Sequence, residues 1–366
     1  MSEYLKTYQM KLITVGPVFV GSGKKLEKKE YIFLDREHIG VMDIRRFYDF
    51  VRKNSMSKDF EDFMLKDGRK DLKHWALDHK INMDKMKACM KYVLDSGDTA
   101  IERGTQLQIL ECMKDSYGKP YIPGSSIKGM FRTILLGADM QNNSEKYTRE
   151  KKNLEENLAI KKRRTVYLKR ESESLEKRFY CTLMRNEEKP MDTVNDSMAG
   201  FIVSDSEPLS MKDIVLCQKI EKHVDGQEKR LNVLRECIRP GTEIKFTITI
   251  DETLSDLTIE KIKDAVQIFA ENYYEMFKSA FADVDRPQKN ELYLGGGCGF
   301  STKTVLSALY EKEKNVKVTK TVFENTGVPR EHKHQKDLEY GVSPHILKCT
   351  RYQGKLEEMG LCRLEC

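Results

Sequence analysis

No CxxC pair occurs in this chain, and no Cys/His cluster stands at zinc-binding spacing. The nine cysteines (Cys89, Cys112, Cys181, Cys217, Cys237, Cys298, Cys349, Cys362 and Cys366) are scattered, which argues against a structural zinc site. Met1-Ser-Glu-Tyr4 does not open a signal peptide, and no apolar run is long enough to span a membrane. An odd number of thiols without a leader fits a reducing cytoplasm, so a cytoplasmic protein without a membrane partner is expected. A catalytic constellation is missing too. His332 and His334 flank Lys333 in a polar stretch and His38 sits in a predicted turn. None has an obvious partner, and solvated surface histidines are expected. Asp35, Asp43 and Asp205 suit plain turn or cap roles as well as acid/base or metal roles. No catalytic residue, metal or cofactor is therefore expected. Trp75, the single tryptophan, falls on a predicted helix and is expected in a core.

The 366 residues have room for two domains, with 39% hydrophobic and 33% charged residues. The net charge of +6 permits a polyanion partner, but binding one requires a basic patch rather than a basic average. Residues 145–178 carry twelve Lys/Arg against seven Glu, densest at Lys161-Lys-Arg-Arg164. This stretch nearly accounts for the excess charge of the whole chain. Its apolar residues are sparse, so an exposed helical insertion or a mobile loop is expected, with nonspecific RNA contact as one role.

Glycine is concentrated in three loops that share a layout. They are Gly21-Ser22-Gly23-Lys24-Lys25, Gly124-Ser125-Ser126-Ile-Lys128, and Gly295-Gly296-Gly297-Cys-Gly299-Phe300-Ser-Thr-Lys303. Glycine lets a backbone approach another molecule closely, and a following helix start offers free N–H groups to phosphate. Phosphate binding is the sharper reading and packing turns the plainer one. Gly16 to Gly21 has P-loop spacing, but Ser22 stands where that motif needs lysine. The Gly295 loop fails as a dinucleotide fingerprint, because Phe300 occupies the third glycine position.

Periodicity places strands at Tyr8–Val15, 31–34, 39–42, 107–113, 200–205, 214–220, 230–238 and 244–250, and a last one near 361–366. Asp43 is a candidate N-cap for a helix bearing Phe47 and Val51, and short helices continue to about residue 95. Ile127, Met130, Phe131, Ile134 and Leu135 form the buried stripe of a helix capped by Ser125 or Ser126, with Lys128 and Arg132 off the stripe. A long amphipathic helix covers 259–277, and another ends near Tyr310. The β-α-β-β order in each half predicts an α+β chain of two domains with antiparallel sheets. The expected division is 1–195, with a helical insertion at 43–95 and the basic insertion at 145–178, and 196–366.

Val15-Gly-Pro-Val-Phe-Val-Gly-Ser-Gly23, Tyr121-Ile-Pro-Gly-Ser-Ser-Ile-Lys-Gly-Met-Phe-Arg132 and Leu294-Gly-Gly-Gly-Cys-Gly-Phe300 resemble the RAMP superfamily of CRISPR proteins. With the tail Ser343-Pro-His-Ile-Leu-Lys348-Cys-Thr-Arg351, the chain looks most like the capping subunit of a type III-A Csm effector complex. The resemblance implies two ferredoxin-like (RRM-like) domains and binding to the 3′ region of the CRISPR guide RNA. It also implies contact with the complex's backbone subunits and target RNA, and guide maturation through host ribonucleases. Slicing relatives carry an aspartate soon after the first glycine loop. Lys24-Lys-Leu-Glu-Lys-Lys-Glu30 has none, which argues against slicing.

The expected function is thus noncatalytic RNA binding in antiviral defence. The residues expected at the RNA are Gly21, Ser22, Gly23, Lys24, Lys25, Gly124, Ser125, Ser126, Lys128, Arg132, Gly295, Gly296, Gly297, Gly299, Phe300, Lys303, Lys348 and Arg351. A metal-independent guide-processing endoribonuclease and a protein-only scaffold are the alternatives.

Overall fold

The computed structural model describes residues 4–66, 70–99, 107–332 and 334–366. The chain runs through β1 (Leu5–Thr14), β2 (Gly21–Leu26), β3 (Tyr31–Phe33) and β4 (His38–Met42). Helices α1 (Ile44–Lys53), α2 (Ser57–Leu65), α3 (Leu72–Asp78) and α4 (Met83–Ala88) follow, then β5 (Met90–Asp95) and β6 (Gln108–Cys112). Next come α5 (Gly124–Asn142), α6 (Thr148–Leu158), α7 (Lys169–Tyr180) and β7 (Phe201–Val203). The strands β8 (Ile214–His223), β9 (Glu228–Ile238) and β10 (Glu243–Asp251) precede α8 (Ile259–Met276) and β11 (Glu291–Tyr293). The remainder is α9 (Leu306–Leu309), α10 (Lys312–Asn325), α11 (Asp337–Tyr340), β12 (Ile346–Tyr352), β13 (Lys355–Glu358) and β14 (Leu361–Glu365).

One sheet has the order β11-β14-β1-β10-β7, with every pair antiparallel. Read along the chain, β1-α5-β7-β10-α8-β11 is a ferredoxin-like β-α-β-β-α-β unit, with β14 wedged between β11 and β1. Ile244, Phe246, Ile248 and Ile250 alternate with polar residues on β10, and all four are buried. They meet Ile127, Phe131 and Ile134 of α5 and Ile262, Val266 and Phe269 of α8. Each such side chain contributes about 1.5–3 kcal/mol by leaving water. Gly137 marks the crossing of the two helices, because a Cβ there would lie 2.9 Å from the Phe269 ring.

The second sheet has nine strands, in the order β2-β6-β9-β8-β5-β4-β3, with β12 and β13 joined at β8. It is mostly antiparallel, but β6 runs parallel to β9 and β5 meets β8 in parallel. Helices α1 to α4 pack against its β3–β4 end. Trp75 is buried there among Phe47, Phe60 and Phe63, and Asp43 caps α1 through the Arg46 N–H.

Several expectations need correction. The glycine stretch 21–25 lies in strand β2 rather than a loop, with Gly23 at φ +81° where its register with β6 shifts. The helical stretch ends at Ala88, because Met90 and Val93 belong to β5, which completes the sheet. The basic segment is a packed helical pair: Tyr147, Leu154, Leu175 and Tyr180 are sparse but all join the main core. No helix directly follows the Gly295 loop; α9 has four residues, and the longer helix there is α10. Both sheets draw strands from either side of residue 195: among the described residues β1 pairs with β10 and β14, and β6 pairs with β9.

Candidate nucleic-acid interface

Phe19 is the point where glycine-rich β2 and the Gly295 loop meet. The Gly296 N–H donates to the Phe19 carbonyl at 2.6 Å, and a Cβ on Gly21 would lie 2.7 Å from the Phe19 ring. Gly295, at φ +86°, leaves no space for a Cβ beside the Phe19 carbonyl. The loop is also held by the Leu294 N–H on Gly360 and by the Cys298 thiol, which donates to the carbonyl of Leu294. Burial pushes that thiol up to about 11 against the pull of Lys303 and Arg235, so it packs rather than reacts.

The Arg235 guanidinium lies 5.4 Å from the Phe19 ring centroid, and a Cβ on Gly297 would stand 2.7 Å from its Nη1. Its Nε and Nη1 are buried and have no hydrogen-bond partner among the described residues. Cross-strand partners share a face. Lys25 on β2, Leu110 on β6, Arg235 on β9 and Cys217 on β8 are such partners in sequence, so they form one row across the sheet. Lys348 on β12 lies opposite Glu221 on β8 and bonds its carboxylate at 2.6 Å, and Lys219 approaches the same oxygen at 3.4 Å. Burial opposes the charge on Glu221, but Lys348 and Lys219 together hold its carboxyl below the usual range. Burial and then the neighbouring Lys348 lower the Lys219 ammonium. A Cβ on Gly299 would stand 3.5 Å from the Lys348 Cγ, so the Gly295 loop borders this side chain. The patch gathers Lys25, Lys219 and Lys348 near the Glu221 carboxylate, with the partly buried Arg235 guanidinium beside the Phe19 ring. That is the chemistry of a backbone-tracking RNA surface.

The other predicted residues are placed elsewhere. The α5 N-terminus does not offer a free N–H at Gly124, because Asp205 accepts it at 2.7 Å. Pro123 takes the N-cap position, and neither Ser125 nor Ser126 caps through its side chain. Lys128 donates to the Met198 carbonyl at 2.8 Å, and burial lowers its ammonium. Arg132 pairs with Asp196 at 2.8 Å and Glu176 at 3.1 Å, and lies 4.0 Å over the Tyr180 ring. These cations hold the 169–200 segment onto α5. Arg351 stands three residues from Lys348, hence on the opposite face of β12, and pairs with Glu228. Phe300 packs on Phe323. Lys303 is exposed and lines a groove of about 450 Å³ together with Arg132, Lys169 and Tyr167.

Sequence reasoning missed Phe19, Lys219 and Arg235. The available signal was a charged pair, Arg235-Glu236, inside the apolar run 233–238. The histidine expectation also needs correction. His332 is exposed, but His334 and His345 are buried around Asp337, and Lys333 lies outside the described residues.

The RAMP superfamily profile matches residues 11–301, and the chain belongs to that superfamily. Within it, the chain is 27% identical to the CRISPR system Cms protein Csm5 of Mycobacterium tuberculosis, over 100% of this chain and 98% of the relative. It is 26% identical to Csm5 of Streptococcus thermophilus, over 90% of each chain. Two solved structures share its fold. One is a chain in the cryo-EM structure of a Csm–crRNA–target RNA ternary complex of a type III-A CRISPR-Cas system. Its TM-score is 0.65 at 20% identity, covering 98% of this chain and 100% of that one. The other is the crystal structure of T. onnurineus Csm5, with a TM-score of 0.59 at 15% identity, covering 96% and 99%.

Proposed function

We propose that the chain is a noncatalytic RNA-binding subunit of a type III-A Csm effector complex, holding the 3′ region of the guide RNA and capping the filament there. The observation that carries the RNA contact is the patch on Phe19 and Arg235. Glycine-rich β2 and the Gly295 loop converge there on a partly buried guanidinium whose Nε and Nη1 lack partners among the described residues, with Lys219 and Lys348 close by. The full-length similarity to proteins named Csm5, and a fold neighbour solved with crRNA and target RNA, support the assignment to such a complex. Guide RNA, target RNA and the backbone subunits are its partners, and guide trimming falls to host ribonucleases. Lys24, Lys25, Gly295, Gly297, Lys303 and Lys348 keep their proposed place at the RNA, and Arg235 and Lys219 join them.

The test is a filter-binding titration with guide RNA at several salt concentrations. Arg235→Ala with Lys348→Ala should weaken binding and flatten the log–log salt slope by roughly one unit per lost phosphate contact. Unchanged affinity and slope in a folded double variant would sink the assignment. Guide precursor incubated with the protein should keep its length.

A further inference from the structure

Four of the seven histidines gather at one end of the β8–β12 pair, outside the RNA patch. Asp337 lies between two of them, His334 and His345, with its side chain fully buried. His345 Nδ1 is 2.5 Å from its Oδ1, and His334 Nδ1 is 3.1 Å from its Oδ2. The Ser343 hydroxyl donates to Oδ2 at 2.5 Å. His334 and His345 are themselves only 10% and 4% exposed at the side chain. Among the described residues, no lysine or arginine pairs with Asp337. A buried carboxylate must be compensated by positive charge, because its uncompensated transfer from water is costly. Two imidazoles and one carboxylate bring one ligand atom each inside a 4.8 Å span, a donor set that can hold a divalent ion.

We propose that His334, Asp337 and His345 form a zinc site. Imidazole nitrogen with one carboxylate suits Zn²⁺, which takes nitrogen and oxygen donors at about 2.0–2.2 Å in a tetrahedron. The donor–donor edge of such a tetrahedron is roughly 3.3 Å. The His334–Asp337 separation is close to it, His345 sits nearer Asp337 than it, and the three donor atoms, which lie within 4.8 Å of one another, must shift to share one ion. Ser343 holds the carboxylate from outside the ligand set, the arrangement that orients metal ligands.

The site has a mechanical reason. Among the described residues of 330–345, the regular elements are short 3₁₀ turns and the four-residue α11, so few backbone bonds fix their course. The ion ties both ends of this segment together. His345 directly precedes β12, and its carbonyl accepts the Val224 N–H just beyond β8. The pinned segment therefore braces the two strands that carry Lys219, Glu221 and Lys348. His332, stacked on His334 at 5.9 Å, lies at the rim between the two sites.

The test uses the full chain, purified without a histidine tag, stripped with chelator and titrated with Zn²⁺ by calorimetry. Co²⁺ serves as an optical probe of tetrahedral coordination. The wild-type chain should take up about one equivalent of Zn²⁺ and melt at a higher temperature when loaded. Asp337→Asn and His345→Gln should abolish binding. Ser343→Ala, which keeps all three ligands, should weaken it by about 10–100-fold. His38→Gln, at an exposed His–Asp pair, should change nothing. No uptake by the folded wild-type chain, or uptake that survives both ligand variants, overturns the site. If a ligand variant fails to fold, the Ser343→Ala affinity decides: equal to wild type, it overturns the site.

Discussion

Residues of one type differ here by what surrounds them. Arg235 and Arg132 are both partly buried, yet Arg132 has two carboxylates and a ring, while Arg235 has unpaired N–H groups and a ring. Arg132→Ala should therefore cost about 1–2 kcal/mol in denaturant unfolding and leave the RNA salt slope unchanged. Arg235→Ala should do the reverse. Glu221 partly neutralises the patch, so Glu221→Gln should steepen the salt slope. Its folded-state carboxyl lies below the ordinary 4.5, so its ion pairs stabilise the chain fully above that pH. That stability is lost as pH falls through the lowered folded value, and the Gln variant should lack this acid-limb loss in a melting series. A deeper network is purely structural. Fully buried Glu236 accepts from Tyr92, Lys114 and the Cys112 N–H, tying β5, β6 and β9. Lys114→Met strands that carboxylate and should cost about 3–5 kcal/mol in denaturant unfolding.

At the scale of elements, the glycines divide by what they touch. Gly124 starts α5 against the β7 strand end, where a Cβ would lie 2.6 Å from the Ser204 carbonyl. The Asp205 carboxylate caps the same helix and suits the positive end of its dipole. Asp205→Ala should cost about 0.5–2 kcal/mol in thermal unfolding, with RNA affinity untouched. Gly295 instead docks a loop on Phe19 at φ +86°, a conformation that L side chains rarely adopt. Gly295→Ala should loosen that loop and lower RNA affinity in the filter-binding assay. The α6–α7 pair shows how few apolar positions an element needs. Leu154 and Leu175 bury against the core, and Lys314 pairs with Glu155 at the surface.

At the scale of the whole molecule, the chain is woven rather than divided in sequence. The ferredoxin-like unit takes β1 from the start, α5 from the middle and β10, α8, β11 and β14 from the later part. The fragment 1–195 should therefore show no cooperative unfolding transition, because both partners of β1 lie beyond it. Folding of that fragment as a cooperative unit would contradict this account. Among the described residues no helix is long and apolar enough to cross a membrane.

Local periodicity determined most of the elements. The alternation on β10, the stripe of α5, the cap at Asp43 and the superfamily motifs depend on residues near one another in sequence, so one chain suffices to read them. Pairing does not. The Gly295 loop, Phe19 and Arg235 are separated by long stretches of chain, and only the two sheets bring them together. The same holds for the carboxylates that claim Arg132 and for the Asp205 cap. The histidines around Asp337 are a partial exception, being near in sequence. Whether such a polar stretch lies in water or under a sheet edge is decided by packing, and only the tertiary structure shows it. Sequence spacing limits which groups can be cations, caps or ligands, and the unpaired or buried surroundings that turn them into a site arise from long-range contacts.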